Sequence, residues 1–143
     1  MASAANPLLM TVEEYRQLPD KPDVIQELHW GHVLTLSRPK PLHIKLQSRI
    51  TRLLCPIAEH LGYVESELPF RALPDYDLRA ADVAFVTRER WDAVSEDHLA
   101  GSPELVIEIS SPSNIRAEIP AMAALCLATG TGEFGSWTAN ARS

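Results

Sequence analysis

Two short runs, ADVAFVT at 81–87 and ELVIEIS at 104–110, constrain this chain more than any other feature of it. Both are rich in aliphatic and β-branched residues, which favours strands packed on a core. Each also carries a carboxylate, Asp82 at the head of the first and Glu108 inside the second. With a strand period of two, Asp82, Ala84 and Val86 share one face, and Glu104, Val106, Glu108 and Ser110 share another. A carboxylate held among Val, Ile and Leu is costly unless a positive partner compensates it. A divalent cation with oxygen ligands is such a partner, and two carboxylates on adjacent strands suit Mg²⁺ or Mn²⁺. Spacing alone favours a plainer arrangement, with Glu108 on the solvent face of an edge strand and Asp82 merely opening one.

The rest of the chain supplies helices to cover such strands. Thr11 and Glu14 have capping-box spacing and predict a short helix over 11–18, broken around Pro22. VIQELHW and HVLTLS flank Gly31 and alternate apolar with polar residues, a hairpin pattern. After Pro39 and Pro41, Leu42, Leu46, Ile50, Leu53, Ile57 and Leu61 recur at spacings of three and four, predicting a long helix with that stripe inward. Pro56 should kink it and Gly62 close it. YVESELPFRAL reads as an edge or bulged strand because of Pro69. RERWDAVSEDHLAGSP reads as a helical turn and polar loop, and 115–128 as a helix. Pro120 inside that helix removes an amide donor, unless the helix starts later with Pro120 in its first turn. The order predicts an α/β fold, a mixed sheet with helices packed on it.

At 143 residues the chain suits one domain with one buried core, and 45% hydrophobic with 22% charged residues is ordinary globular composition. No apolar run spans a bilayer and the N-terminus lacks a signal-peptide pattern, so the expectation is a cytoplasmic protein without a membrane. Cys55 and Cys126 read as two buried thiols of a reducing compartment. A formal charge of −6 argues against tight, non-specific DNA binding. It leaves a nuclease open, because an acidic metal site is neutralised only when its cation arrives.

Six segments together resemble one family: TVEEY, QELHWGHVL, PLHIKLQSRI, ADVAFV, GSPELVIEISSPSN and LCLATGTGEF. Over about 11–134 the chain resembles the Uma-type restriction endonuclease family, a branch of the PD-(D/E)XK nucleases. The resemblance implies a restriction-endonuclease-like mixed β-sheet core flanked by helices, and Mg²⁺- or Mn²⁺-dependent hydrolysis of DNA. Residue by residue it implies that Asp82 and Glu108 hold the metal, with Glu27 as an auxiliary acidic residue. It also gives His43 a place at the cleft. In this family a lysine on the following helix completes the site, and Met122 stands at that position. Methionine can neither orient water nor offset phosphate charge, so activity is expected to be impaired. Arg116 is near in sequence, but its guanidinium stays protonated. The alternative is a catalytically inactive nucleic-acid-binding or protein-interaction module derived from such a nuclease.

Lys45, Arg49 and Arg52 fall at i, i+4 and i+7 on the long helix, a spacing that suits either a ridge along DNA phosphates or a solvated face. His29 and His32 flank Gly31 but lack the further ligands that zinc needs. Asp75 and Asp77 read as a turn. Residues 135–143 depart from the family, which continues after Glu133–Phe134 with Trp, two apolar residues and Asp. Gly135-Ser136-Trp137-Thr138 is a poor strand former. Coded GGG TCG TGG ACC and preceded by one restored T, the segment reads Trp-Val-Val-Asp. The expectation is a frame-shifted tail, a domain truncated at its C-terminus, and a sheet edge open to pairing in a homodimer.

Overall fold

The computed structural model describes residues 9–112 and 116–139; residues 1–8, 113–115, which include the Ser and Asn that end the Ser-Pro-Ser-Asn motif, and 140–143 of the tail lie outside them. Helix α1 (Val12–Arg16) is set by the predicted capping box. Thr11 Oγ1 accepts from the Glu14 amide at 3.2 Å, and Glu14 Oε1 accepts from the Thr11 amide at 3.0 Å. Strands β1 (Ile25–His29) and β2 (His32–Leu36) form the expected antiparallel hairpin. Its two-residue turn holds Trp30 at φ 53° and Gly31 at φ 81°, the left-handed pair that matches the twist of a tight hairpin. Buried Asp77 fastens this hairpin to the remainder. Its Oδ2 accepts from the Trp30 amide at 3.2 Å, while Arg79 donates to both its oxygens at 2.6 and 2.7 Å. The pair expected to be a mere turn is therefore, at Asp77, a buried anchor.

Helix α2 (Pro41–Ala58) is followed by β3 (Gly62–Arg71), β4 (Arg79–Thr87), α3 (Arg88–Asp92), β5 (Leu99–Ala100), β6 (Leu105–Ser110), α4 (Ile119–Ala128) and β7 (Glu133–Thr138). Five strands make one mixed sheet in the order β5-β3-β4-β6-β7. The β3–β4 and β4–β6 pairs are antiparallel, while β5 joins β3 and β7 joins β6 in parallel. Pro69 sits in β3 where only its last two residues pair with β5. Gly62 opens β3 instead of closing the helix. A Cβ there would lie 2.1 Å from the Val86 carbonyl oxygen, so the close approach of the two strands requires glycine. Pro120 falls in the first turn of α4, where a missing amide is harmless.

The sheet is covered on both faces. On one side Leu46 and Ile50 of α2 pack on Val64, Val83, Ile107 and Ile109. On the other, Met122, Leu125 and Cys126 of α4 pack on Phe70, Ala84, Val86 and Val106. Burying each such side chain contributes about 1.5–3 kcal/mol. The α2 stripe is rotated from the expected one. Leu53 and Ile57 are 62% and 68% exposed, and the helix approaches the sheet through Leu46, Ile50, Leu54, Cys55 and Ala58. Cys55 and Cys126 are free thiols.

The tail forms a strand against its own propensity. Gly135 to Thr138 continue β7, in register with Ile107 to Ser110, despite their low strand propensity. Parallel pairing to a buried neighbour outweighs propensity here. Among the described residues no helix is long and apolar enough to cross a membrane.

The faces of β3 and β4 exchange partway along. Val64 packs on the α2 side, whereas Leu68 and Phe70, at even spacings from it, pack on the α4 side. Ala81 and Val83, two residues apart in β4, likewise belong to opposite sides. The exchange occurs where Glu67 would pair with Asp82. The ladder runs from Ser66↔Val83 to Leu68↔Ala81 without that pair, and Glu67 takes φ 54°. Gln47 of α2 fills the gap, donating to the Asp82 carbonyl and to Glu67 Oε1, both at 2.7 Å.

Candidate active site

The break between β3 and β4 opens onto a cleft of about 820 Å³, bounded by the hairpin, the start of α2 and the segment before α4. Glu27, His43, Glu67, Asp82, Arg116 and Glu118 line it, with Arg38 and Lys40 among the residues leading into α2. Asp82 and Glu108, predicted as a pair, do meet. Glu108 Oε2 accepts from the Asp82 amide and Asp82 Oδ2 accepts from the Ile109 amide, both at 2.7 Å. Each carboxylate is thus fixed by the other strand's backbone. Glu108 is fully buried, and its carboxyl is pushed well above the usual carboxylate range by burial and then by the charge of Asp82.

Arg116 is the cation at these acids. Its NH1 lies 3.1 Å from Asp82 Oδ2, its NH2 3.0 Å from Glu108 Oε1, and its Nε donates to Glu118 Oε1 at 2.7 Å. The Arg116–Glu108 approach is an ion pair in distance without hydrogen-bond alignment, so Oε1 lacks a hydrogen-bond partner. Burial disfavours the charged guanidinium, but Glu108 and Asp82 more than reverse this and raise its pKa. Against the burial that would raise it, the Arg116 hydrogen bond holds the Glu118 carboxyl below its usual value.

Met122 is not at the cleft. It is 1% exposed, within the apolar cluster of Phe70, Ala84 and Val106. Glu27 lines the cleft as expected, but both its oxygens are engaged: His29 Nε2 lies 2.7 Å from Oε1, and Oε2 accepts from the Ala80 amide at 3.0 Å. His29 therefore serves Glu27, while His32 is exposed on the neighbouring strand. His43 comes from the first turn of α2, its Nε2 3.5 Å from Asp82 Oδ1. That nitrogen is buried and has no hydrogen-bond partner. Lys45, Arg49 and Arg52 are exposed along α2 and do not line the cleft.

Glu67 went unnoticed in the sequence. It is held by Gln47, and its carboxyl is raised mainly by burial, with Asp82 adding to the effect. Donor atoms of His43, Glu67 and Asp82 lie within 4.8 Å of one another, and they are the metal-capable group among the described residues. Two carboxylates and an imidazole whose buried Nε2 lacks a hydrogen-bond partner fit a divalent ion. The available sequence signal was a glutamate two residues before Pro69 in an otherwise apolar-alternating strand, which periodicity treats as solvent-facing.

Comparison with known proteins agrees with this architecture. A crystal structure of a putative nuclease belonging to DUF820, from Anabaena variabilis, superposes with a TM-score of 0.70 at 19% identity, covering 85% of this chain and 70% of that one. No curated protein matches. The model of the Uma2 family, described as "Putative restriction endonuclease", matches residues 12–135, and the chain belongs to that family.

Proposed function

We propose that the chain is a divalent-metal-dependent endonuclease that hydrolyses DNA phosphodiesters at the cleft around Asp82. One observation carries the reading: donor atoms of His43, Glu67 and Asp82 lie within 4.8 Å of one another at a break in the sheet, and the buried His43 nitrogen has no hydrogen-bond partner. Arg116 already compensates Asp82 and Glu108, whereas Glu67, exposed at the cleft, is held only through the neutral Gln47 amide, so a divalent ion would supply positive charge on that side of Asp82. Mg²⁺ or Mn²⁺, when bound, lowers the pKa of a coordinated water and stabilises charge on a phosphoryl oxygen. Asp82 would hold the ion, either with Glu108, as the family pattern implies, or with the groups on its other side.

The chain's own residues supply the remainder. The amides of Ile109 and Asp82 orient the two carboxylates before any substrate arrives. Arg116 offers fixed positive charge beside the cleft and can offset charge on a phosphate, although it cannot carry protons as a lysine does. Glu27 braces the start of β4 through the Ala80 amide. Arg38 and Lys40 at the cleft, followed by exposed Lys45, Arg49 and Arg52 along α2, form a basic track for a DNA backbone.

A plasmid-nicking assay with Mg²⁺ and Mn²⁺ tests the reading. Cleavage by the chain that disappears in Asp82→Ala is the expected result. DNA binding without cleavage in either metal would replace the nuclease with a non-catalytic binding module.

A further inference from the structure

The two oxygens of Asp82 face different neighbours, and this divides the acids into two groups. Oδ2 accepts from the Ile109 amide at 2.7 Å and lies 3.1 Å from Arg116 NH1. Glu108 is committed in the same way, Oε2 to the Asp82 amide at 2.7 Å and Oε1 to Arg116 NH2 at 3.0 Å. An ion placed between Asp82 and Glu108 must therefore displace a guanidinium that three carboxylates hold. Oδ1 is different. Its near neighbour is His43 Nε2 at 3.5 Å, too long for a good hydrogen bond and short enough for both atoms to reach one ion. Glu67 completes this second group, steered there by its φ of 54° and by the Gln47 amide that also holds the Asp82 carbonyl.

The donor chemistry of the second group differs from that of a purely carboxylate site. Mg²⁺ prefers oxygen ligands and retains its waters, whereas an imidazole nitrogen favours first-row transition ions. Mn²⁺ accepts both donor types. We propose that the ion sits on His43 Nε2, Glu67 and Asp82 Oδ1, is Mn²⁺ in preference to Mg²⁺, and is kept off Glu108 by Arg116. The assignment deepens the nuclease reading and rests on it for the role of the ion, not for the ligand set. Coordination uses the imidazole tautomer with its proton on Nδ1.

The test is direct Mn²⁺ and Mg²⁺ binding to chelator-treated protein, by calorimetry and by pulsed electron paramagnetic resonance, with no DNA present. Bound Mn²⁺ is expected to show nitrogen modulation from one histidine, absent in His43→Ala. Glu67→Gln and His43→Ala should each weaken Mn²⁺ by about tenfold or more, while Glu108→Gln leaves it nearly unchanged. Circular dichroism of each variant separates ligand loss from unfolding, and Glu67→Asp, which keeps the charge, should retain measurable binding. Absence of nitrogen modulation, loss of binding in Glu108→Gln but not Glu67→Gln, or Mg²⁺ binding as tight as Mn²⁺ would each overturn the assignment. A nitrogen-coordinated Mn²⁺ in a protein that never nicks DNA would overturn the nuclease reading and leave the ligand set standing.

Discussion

Replacing Arg116 by methionine should expose how the buried acids are balanced. Glu108 is fully buried, and Arg116 NH2, 3.0 Å away, is the cation at its Oε1. Removing one partner of a buried pair costs about 3–5 kcal/mol, because the other charge is left without compensation. The loss should depend on pH with a definite sign. Burial and Asp82 already raise the Glu108 carboxyl, and Arg116 opposes them, so Arg116→Met raises it further. A carboxyl whose folded pKa lies above its unfolded one stabilises fully below the unfolded value. That contribution is lost as pH rises through the folded pKa, at about 1.4 kcal/mol per unit of separation. The variant's deficit should therefore be larger at pH 8 than at pH 5, because protonation of Glu108 as the pH falls removes the uncompensated charge. Urea unfolding in chelator at both pH values measures it, and Arg116→Met with Glu108→Gln should recover most of the loss. A deficit under about 1 kcal/mol at pH 8, with no change at pH 5, would refute the claim that Arg116 compensates a buried charge.

Gly62→Ala should cost about 2–3 kcal/mol, or more, since its Cβ would meet the Val86 carbonyl oxygen at 2.1 Å with backbone on both sides; thermal unfolding reads it. Neutralising Lys45, Arg49 and Arg52 to glutamine should weaken DNA binding and lower the slope of log affinity against log salt by about 2–3. Thermal stability should be unchanged, because all three are exposed; an unaltered salt slope would remove α2 from the DNA track.

Elements with strong local signals were legible in the sequence. The Thr11–Glu14 box and the hairpin around Gly31 formed as their patterns predict, and both carboxylate-bearing runs formed strands, although the alternation of the first breaks at Asp82. Asp82 and Glu108 also meet, a pairing that the family pattern implied and that spacing alone did not favour. The rest depended on packing between distant segments. On α2 two apolar rows compete, and small side chains decide: Ala58 and Cys55 let the helix lie close to the sheet, leaving Leu53 and Ile57 outside. Strand β7 contains Gly135 and Ser136, and its partner β6 made it a strand. Glu67 was hidden because alternation assumes each strand keeps its faces, and this one does not. Arg116 was visible, but its sequence position said nothing of the three carboxylates it joins.

The exchange of faces at Glu67 and Asp82 ties the site's evolution to that of the fold. Leu68 and Phe70 reach the α4 side only because the chain turns over at Glu67. A mutation that restored regular pairing there would aim those side chains at the wrong layer. The position thus selects for residues that tolerate a left-handed backbone, and a β-branched residue such as valine would be excluded even in a copy with no catalytic duty. Descendants of this protein can lose acids from the cleft one at a time, but they cannot straighten the strand pair without rebuilding both cores.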